Sequence, residues 1–245
     1  MIKKVIFLTG VFLLIGYLLI AITAFNVQPV GMVCKDIEVV LKDSIQSGFI
    51  TRTEVTSLLM KKKQYPVGKS MESVLCRALE DSLQKHPLID EIECYKTPYG
   101  NVVIEIKQRI PMLRVMNNKG ENYYIDNKGE IMPPEAKYIA HLAIVTGTVD
   151  RTFAKKELYD FARFLHDNPF WAAQIEQINV LSTKEIELVP RVGDHIIFLG
   201  KMKDFENKLQ RLREFYKKAL NKVGWNKYER INLEFSNQII CTKRE

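Results

Sequence analysis

The sequence predicts an α+β chain with a single N-terminal transmembrane helix, then a compact β-α-α-β-β module, then a mainly antiparallel β domain with flanking helices. Three observations predict it. Residues 5 to 25, VIFLTGVFLLIGYLLIAITAF, carry no charge. Residues 36 to 108 arrange their apolar positions as one alternating strand, two helical stretches and two more alternating strands. Beyond Pro111, short alternating runs punctuated by Gly, Pro, Asn and Asp outnumber the two stretches of helical period.

The first element is long enough to cross a membrane, because at about 1.5 Å per residue a helix from Val5 to Phe25 matches a hydrocarbon core of about 30 Å. Lys3 and Lys4 precede it and the next charge is Lys35. That bias keeps residues 1–4 in the cytoplasm, places the span at 5–25 and sends the rest outward. The alternative is a signal peptide cut after Ala24, although the apolar stretch exceeds the roughly 7 to 15 residues of a signal core. The net charge is +7 and the isoelectric point about 9.1. In a cytosolic protein that balance would suggest nucleic acid. Export removes this partner and leaves anionic lipid, acidic protein surfaces or plain solvation.

Four cysteines, Cys34, Cys76, Cys94 and Cys241, lie far apart without a C-x-x-C pair. The spacing excludes a short zinc or thioredoxin-like motif. Each sits in an apolar stretch and is expected to act as a small buried residue. An oxidising compartment also permits a bridge, and the spacing assigns none.

After a linker with Pro29 and Gly31, CKDIEVVLKD reads as a strand with Ile37, Val39 and Leu41 on one face. Thr51 or Thr53 caps the helix in ITRTEVTSLLMKKK, which stops before Tyr65, Pro66 and Gly68. Ser70 is expected to cap a longer helix, SMESVLCRALEDSLQKH, whose stripe of Met71, Val74, Leu75, Ala78, Leu79 and Ser82 packs on something flat. Pro87 ends it. LIDEIECYK and NVVIEIKQR then form a hairpin through Thr97, Pro98, Tyr99 and Gly100. Two helices on one face of three strands leave the other face and the sheet edge to partners.

Pro111 cannot donate within a ladder and favours an extended connection, so the domains are placed at 30–111 and 112–245. MLRVMNN, NYYID and EIMPP form a meander with a hairpin loop at Asp126, Asn127, Lys128 and Gly129, and HLAIVTG is a buried strand. FAKKELYDFARFLHDNPFW is helical, with Leu158, Phe161, Ala162 and Leu165 in one stripe and Pro169 after its end. Three more strands follow in AQIEQINVLS, KEIELVPR and DHIIFLG. Met202 to Val223 is a long amphipathic helix with Phe205, Leu209, Leu212, Tyr216 and Ala219 inward. Lys203, Lys208, Arg211, Lys217, Lys218 and Lys222 occupy its other face, solvated or against acidic lipid.

No G-x-S-x-G, H-E-x-x-H, glycine-rich phosphate loop or S-x-x-K motif occurs, and His86, His141, His166 and His195 stand singly. His86 and His166 sit at helix ends, where imidazole meets the last carbonyls. Alternating carboxylates such as Glu91 with Glu93, or Glu185 with Glu187, read as a solvent face. Paired glycosidase acids would have to meet in space instead. No enzyme, catalytic residue, metal, cofactor or small-molecule substrate is expected. Function is expected to reside in surfaces.

HPLIDEIECYKTPYGNVVIEIKQRIPMLRV resembles the end of the POTRA domain in the bacterial cell-division family FtsQ (DivIB): a helix-ending Pro87, a strand to Lys96, the turn at Pro98 to Gly100, then Arg109 and Pro111. NYYIDNKGEIMP with LAIVTG resembles that family's β domain. The resemblance runs over essentially the whole chain in the family's order. Departures are Asp43-Ser44 where the family usually has Gly-Asn, Gln108 where it has glutamate, and a short cytoplasmic end. The resemblance implies a non-enzymatic divisome scaffold in the inner membrane, type II, at the division septum with its bulk periplasmic. It implies partners of the FtsB and FtsL type, with FtsB on the final strand and neighbouring helix, and a POTRA domain involved in recruitment. A POTRA-bearing component of protein export or outer-membrane assembly is the alternative, although such proteins usually carry tandem POTRA units or a barrel.

The tail INLEFSNQIICTK fits that implication. Ile231, Leu233 and Phe235 are expected to face the core, Ser236 and Asn237 to turn, and Gln238 to Lys243 to form a last strand with one edge unpaired. The expected partner-binding residues are Phe235, Asn237, Gln238, Ile239, Ile240, Cys241, Thr242 and Lys243, where an added strand would satisfy the edge. The alternative is an edge protected by Lys243, Arg244 and Glu245.

Overall fold

The computed structural model describes the backbone of residues 2–26, 31–42, 50–134 and 142–245; within the first helix, the side chains of Lys4 and of residues 7–21 are described. Pro29, the Asp43-Ser44 pair, His141 and the side chain of Ala24 lie outside the described residues.

α1 (Ile2–Asn26) is one uninterrupted helix. Its described side chains are mostly exposed apolar groups, among them Phe7, Phe12, Leu13 and Leu19. Among the described residues no helix is long and apolar enough to cross a membrane. The transmembrane span expected at 5–25 is therefore not shown by the described residues.

The first sheet has the order β1 (Asp36–Leu41), β3 (Asn101–Gln108), β2 (Ile89–Lys96) among the described residues. β1 runs parallel to the central β3 and β2 antiparallel to it. α2 (Arg52–Lys61) and α3 (Cys76–Leu83) cover one face. Thr51 caps α2 through a capping box: its hydroxyl accepts the Glu54 N–H at 3.2 Å and the Glu54 carboxylate accepts the Thr51 N–H at 3.0 Å. Val55, Leu59, Leu79 and Leu83 from the helices meet Val39, Val102, Ile104 and Ile106 from the strands. The hairpin between β2 and β3 turns at Gly100, whose φ of 90° suits glycine.

α3 is shorter than its sequence pattern predicts. Residues 69–71 are drawn into backbone pairing with residues 32–34, where Cys34 N–H donates to the Lys69 carbonyl and Met71 N–H to the Met32 carbonyl, both at 2.8 Å. A backbone committed to that bridge cannot also wind into a helix, so winding begins at Cys76. Met71 and Val74 still reach the core, whereas Leu75 is exposed.

The second sheet, among the described residues, has nine strands in the order β12-β11-β10-β9-β8-β7-β4-β5-β6. These are β4 (Pro111–Asn117), β5 (Asn122–Asp126), β6 (Ile131–Met132), β7 (Ile144–Gly147), β8 (Ile175–Val180), β9 (Ile186–Pro190), β10 (Ile196–Gly200), β11 (Tyr228–Asn232) and β12 (Ile240–Lys243). The pairs β4/β7, β7/β8 and β10/β11 are parallel and the remainder antiparallel. Helices make two of the parallel connections, as a crossover requires. α4 (Arg151–Phe153), a π-wound stretch Ala154–Leu158, α5 (Tyr159–Asp167) and α6 (Pro169–Gln174) precede β8. α7 (Phe205–Phe215), a π-wound stretch Tyr216–Leu220 and α8 (Asn221–Val223) precede β11.

The predicted stripe Leu158, Phe161, Ala162 and Leu165 is buried against this sheet. Pro169 begins a further helix, at the first position where its missing N–H costs nothing. Along the last helix Leu209, Leu212 and Tyr216 face inward as expected, but Leu220 is buried and Ala219 only half-buried. The π-wound turn inserts an extra residue and moves the inward position on by one. Lys208 departs from the expected solvated face. It is buried, and its Nζ donates at 2.9 Å to the carbonyls of Leu199 and Lys201.

Arg109 joins the two sheets. Its guanidinium donates to the Asp126 carboxylate at 2.7 and 2.6 Å, to the Pro87 carbonyl at 3.0 Å and to the carbonyls of Glu130 and Ile131 at 3.2 and 3.1 Å. Asp126 also accepts the N–H groups of Lys128 and Glu130, which closes the β5–β6 hairpin as its sequence predicts. Pro111 opens β4 rather than a free linker, at a strand start where no donor is missed. Leu88 from the first unit packs with Tyr124, Met132 and Leu142 of the second.

Candidate partner-binding edge

β12 is the last strand of the nine-stranded sheet, and β11 is its one neighbour among the described residues. The ladder pairs Asn232 with Ile240, Ile231 with Cys241, Arg230 with Thr242 and Tyr228 with Lys243, with an irregularity at Glu229. Just past the strand, Arg244 N–H donates to the Lys227 carbonyl at 3.1 Å. Antiparallel strands alternate inward and outward backbone groups. Arg244, Thr242 and Ile240 therefore turn their N–H and C=O toward β11, and Lys243 and Cys241 turn theirs to the open side.

Side chains alternate with the backbone. Ile239 and Cys241 pack against the helix-covered core, while Ile240 and Thr242 are exposed on the opposite face and Lys243 is exposed at the strand end. Burial pushes the Cys241 thiol above its ordinary range. On the exposed face Arg230 pairs with Glu187 at 2.8 Å and lies over the Phe198 ring. The strand is thus amphipathic across its thickness and open along its length.

The connection from β11 differs from the expected two-residue turn. Residues 233 to 239 form an irregular link, and the strand proper begins at Ile240, so Gln238 lies before it. Ile231 and Leu233 are buried as expected, but Phe235 is 45% exposed. The cause is Leu233, whose N–H donates to the Phe198 carbonyl at 2.9 Å, so the chain keeps following β10 instead of folding back. Beyond it Asn232 Oδ1 accepts the Glu234 N–H and Asn237 Oδ1 accepts the Ser236 hydroxyl. Phe235, Asn237 and Gln238 therefore border the edge in an exposed loop, Ile239 leads into the strand, and Ile240 to Lys243 form the edge.

Two contacts that sequence patterning misses hold this corner. Arg211, on α7, donates to the Phe235 carbonyl at 2.6 Å and the Leu233 carbonyl at 3.1 Å, fixing the loop to the helix. Arg244 donates to the Asp194 carbonyl at 2.6 Å, which ties the end of β12 to the β9–β10 turn. Helical period places Arg211 on the polar face and says nothing of which carbonyls it meets. The neighbouring wall carries Phe215 and Tyr228, 6.2 Å apart between ring centres. Among the described residues no three His, Cys, Asp or Glu side chains are placed to hold a metal ion. The arrangement offers backbone hydrogen bonds along one rim, apolar side chains beside it and cations around it.

A family model described as FtsQ/DivIB, C-terminal related, matches residues 110–242, and a POTRA-like domain model matches residues 32–107. The cell division protein FtsQ of Rhodothermus marinus (strain ATCC 43812 / DSM 4252 / R-10) is 25% identical over 175 residues, covering 66% of this chain. The chain spans 63% of that relative's length in the matched region. With more than half of its residues matched by the first model, in the region that forms the nine-stranded sheet, the chain belongs to the FtsQ/DivIB family.

Proposed function

We propose that the chain is a non-enzymatic scaffold of the bacterial divisome that recruits FtsB- and FtsL-type partners, one of which adds a strand to β12. The observation that carries this reading is the open rim of β12, whose outward N–H and C=O groups at Cys241 and Lys243 have no strand beside them among the described residues. Main-chain hydrogen bonds would supply affinity, and Phe235, Asn237, Gln238, Ile239, Ile240 and Thr242 would select the partner. The charged tail tempers that edge without covering it, since Arg244 is drawn back to Asp194.

The reading includes an anchor. Residues 5–25 would span the inner membrane, with 1–4 cytoplasmic and a POTRA domain at 30–111 and a β domain at 112–245 on the periplasmic side, at the septum. Anchoring confines scaffold and partners to one surface, raising their effective concentration so that a weak contact suffices. The anchored scaffold needs no nucleic acid, cofactor or small-molecule substrate.

Deleting Gln238 to Glu245 tests the edge. The truncated chain is expected to lose co-purification with the FtsB-like partner by at least about tenfold while its far-ultraviolet circular dichroism is preserved. Undiminished recovery would remove β12 from the binding site. Midcell localisation of a fluorescently tagged full chain tests the division role itself, and an even distribution along the envelope would favour the export-type alternative.

A further inference from the structure

Cys76 and Cys94 meet across the helix-covered face of the first sheet. Cys76 is the first residue of α3, and Glu80, one turn on, shares its side of the helix. The Glu80 carboxylate accepts the Cys94 N–H at 2.7 Å, which holds this side of α3 along the open edge of β2 beside Cys94. In β2 the side chains of Ile92, Cys94 and Lys96 alternate toward the helices, and those of Glu91, Glu93 and Tyr95 away from them. Cys76 lines one surface depression together with Lys96, the next inward side chain of β2 after Cys94, so the two thiols are neighbours beneath the first turn of α3. The other two cysteines are elsewhere. Cys34 is buried with its Sγ donating to the Asp36 carbonyl, and Cys241 lies in the second sheet.

We propose that Cys76 and Cys94 form an oxidisable pair that closes into a disulfide, stapling the first turn of α3 to β2. The oxidant is a small or protein disulfide, R–S–S–R. Cys76 attacks one of its sulfurs as the thiolate, forming a mixed disulfide and releasing R–S⁻. Cys94, as thiolate, then attacks the Cys76 sulfur and releases the second R–S⁻. One disulfide is formed and one is reduced, and the protons of the two cysteines pass to the two released thiolates.

The site dictates this order. Cys76 lines a surface depression of about 420 Å³ together with Val74, Leu75, Arg77 and Lys96, so an oxidant reaches it first. Arg77 and Lys96 make that wall cationic, which favours an anionic oxidant such as glutathione disulfide. Cys94 lies deeper. Burial holds its thiol far above the ordinary range, and the hydrogen bond and charge of the neighbouring Cys76 push it further the same way. Once Cys76 is in a mixed disulfide that repulsion is gone, and Cys94 is left beside the sulfur it must attack.

The pair is independent of the strand-addition reading, and its test uses purified protein alone. The full chain in detergent micelles is treated with glutathione disulfide, denatured in iodoacetamide and mapped by mass spectrometry without reduction. The expected product is a cross-linked Cys76–Cys94 peptide, with Cys34 and Cys241 alkylated. Cys94→Ser is expected to stop at the mixed disulfide and carry one glutathione on Cys76, and Cys76→Ser to carry none on Cys94 over the same time. Oxidised wild type is expected to melt several degrees higher than the reduced form, with dithiothreitol reversing the shift. Alkylation of both Cys76 and Cys94 in the treated wild type, or a bridge from either to Cys34 or Cys241, would overturn the proposal. The wild-type map decides the matter even where a serine variant folds poorly.

Discussion

Burial sets the charge state of His195. The ring is 1% exposed, its Nε2 lies 2.9 Å from the Tyr216 hydroxyl, and the Trp225 ring sits beside it. Desolvation holds its pKa below the ordinary 6.5, an effect that Arg244 reinforces and that the Trp225 carbonyl and Asp194 oppose. The sign follows from which state takes the proton first. As pH falls through 6.5 the unfolded chain protonates while the folded chain does not, so stability is lost on acidification, at a limiting slope of about 1.4 kcal/mol per pH unit. His195→Gln keeps a hydrogen-bonding group for Tyr216 but cannot titrate. Urea denaturation between pH 7.5 and 5 is expected to show a shallower loss for the variant, and parallel curves would show that His195 does not report on acid. Lys208 obeys the same rule, because burial depresses its pKa as well. Neither environment was legible in the sequence: a lone histidine in DHIIFLG and a lysine at a polar helical position carry no mark of the Tyr216 hydroxyl or the Leu199 carbonyl that meet them in space.

At the scale of elements, β12 makes a prediction that depends on its two rims being different. Proline removes one N–H and tolerates an extended neighbour. At Lys243 the lost donor is the outward one, so Lys243→Pro is expected to weaken the FtsB-like partner about tenfold or more, with the melting temperature within a few degrees of wild type. At Thr242 the lost donor belongs to the β11 ladder, so Thr242→Pro is expected to cost about 1–3 kcal/mol of stability in denaturant titration. If Lys243→Pro bound as well as wild type, strand addition at this rim would be excluded. Most of the elements that frame this edge were legible. The strands around it follow period two, and the stripe Leu209, Leu212 and Tyr216 identified the covering helix. What was not legible was decided by partners remote in sequence. Pairing with residues 32–34 kept residues 69–71 out of α3, and the Phe198 carbonyl, by holding Leu233, turned a two-residue hairpin into a longer loop that exposes Phe235.

Across the whole molecule, the two sheets are separated by Arg109 and Ile110 alone, and one guanidinium carries much of the junction. The Asp126 side chain is 2% exposed and that of Arg109 15%, so their ion pair is shielded from screening by water, and the same arginine also holds the Pro87 carbonyl of the first unit. Lys128 adds a pair with Asp90, and the Leu88, Tyr124, Met132 and Leu142 cluster adds apolar contact. The proposed partner edge, β12, is at the far end of the second sheet from β5 and β6, so this junction would set where that edge points relative to the first unit. Asp126→Asn isolates the effect, because its amide oxygen can still accept the Lys128 and Glu130 N–H groups of the hairpin while the charge is gone. Removing one member of a buried pair leaves the other unpaired, at a cost of about 3 kcal/mol. Wild type is expected to unfold in one calorimetric transition that couples both units. In the variant the first unit should separate as an earlier transition, while the second keeps its own melting temperature to within a few degrees. A variant that still melts once, at the wild-type temperature, would show that the apolar cluster alone holds the units together and that Arg109 is dispensable to the arrangement.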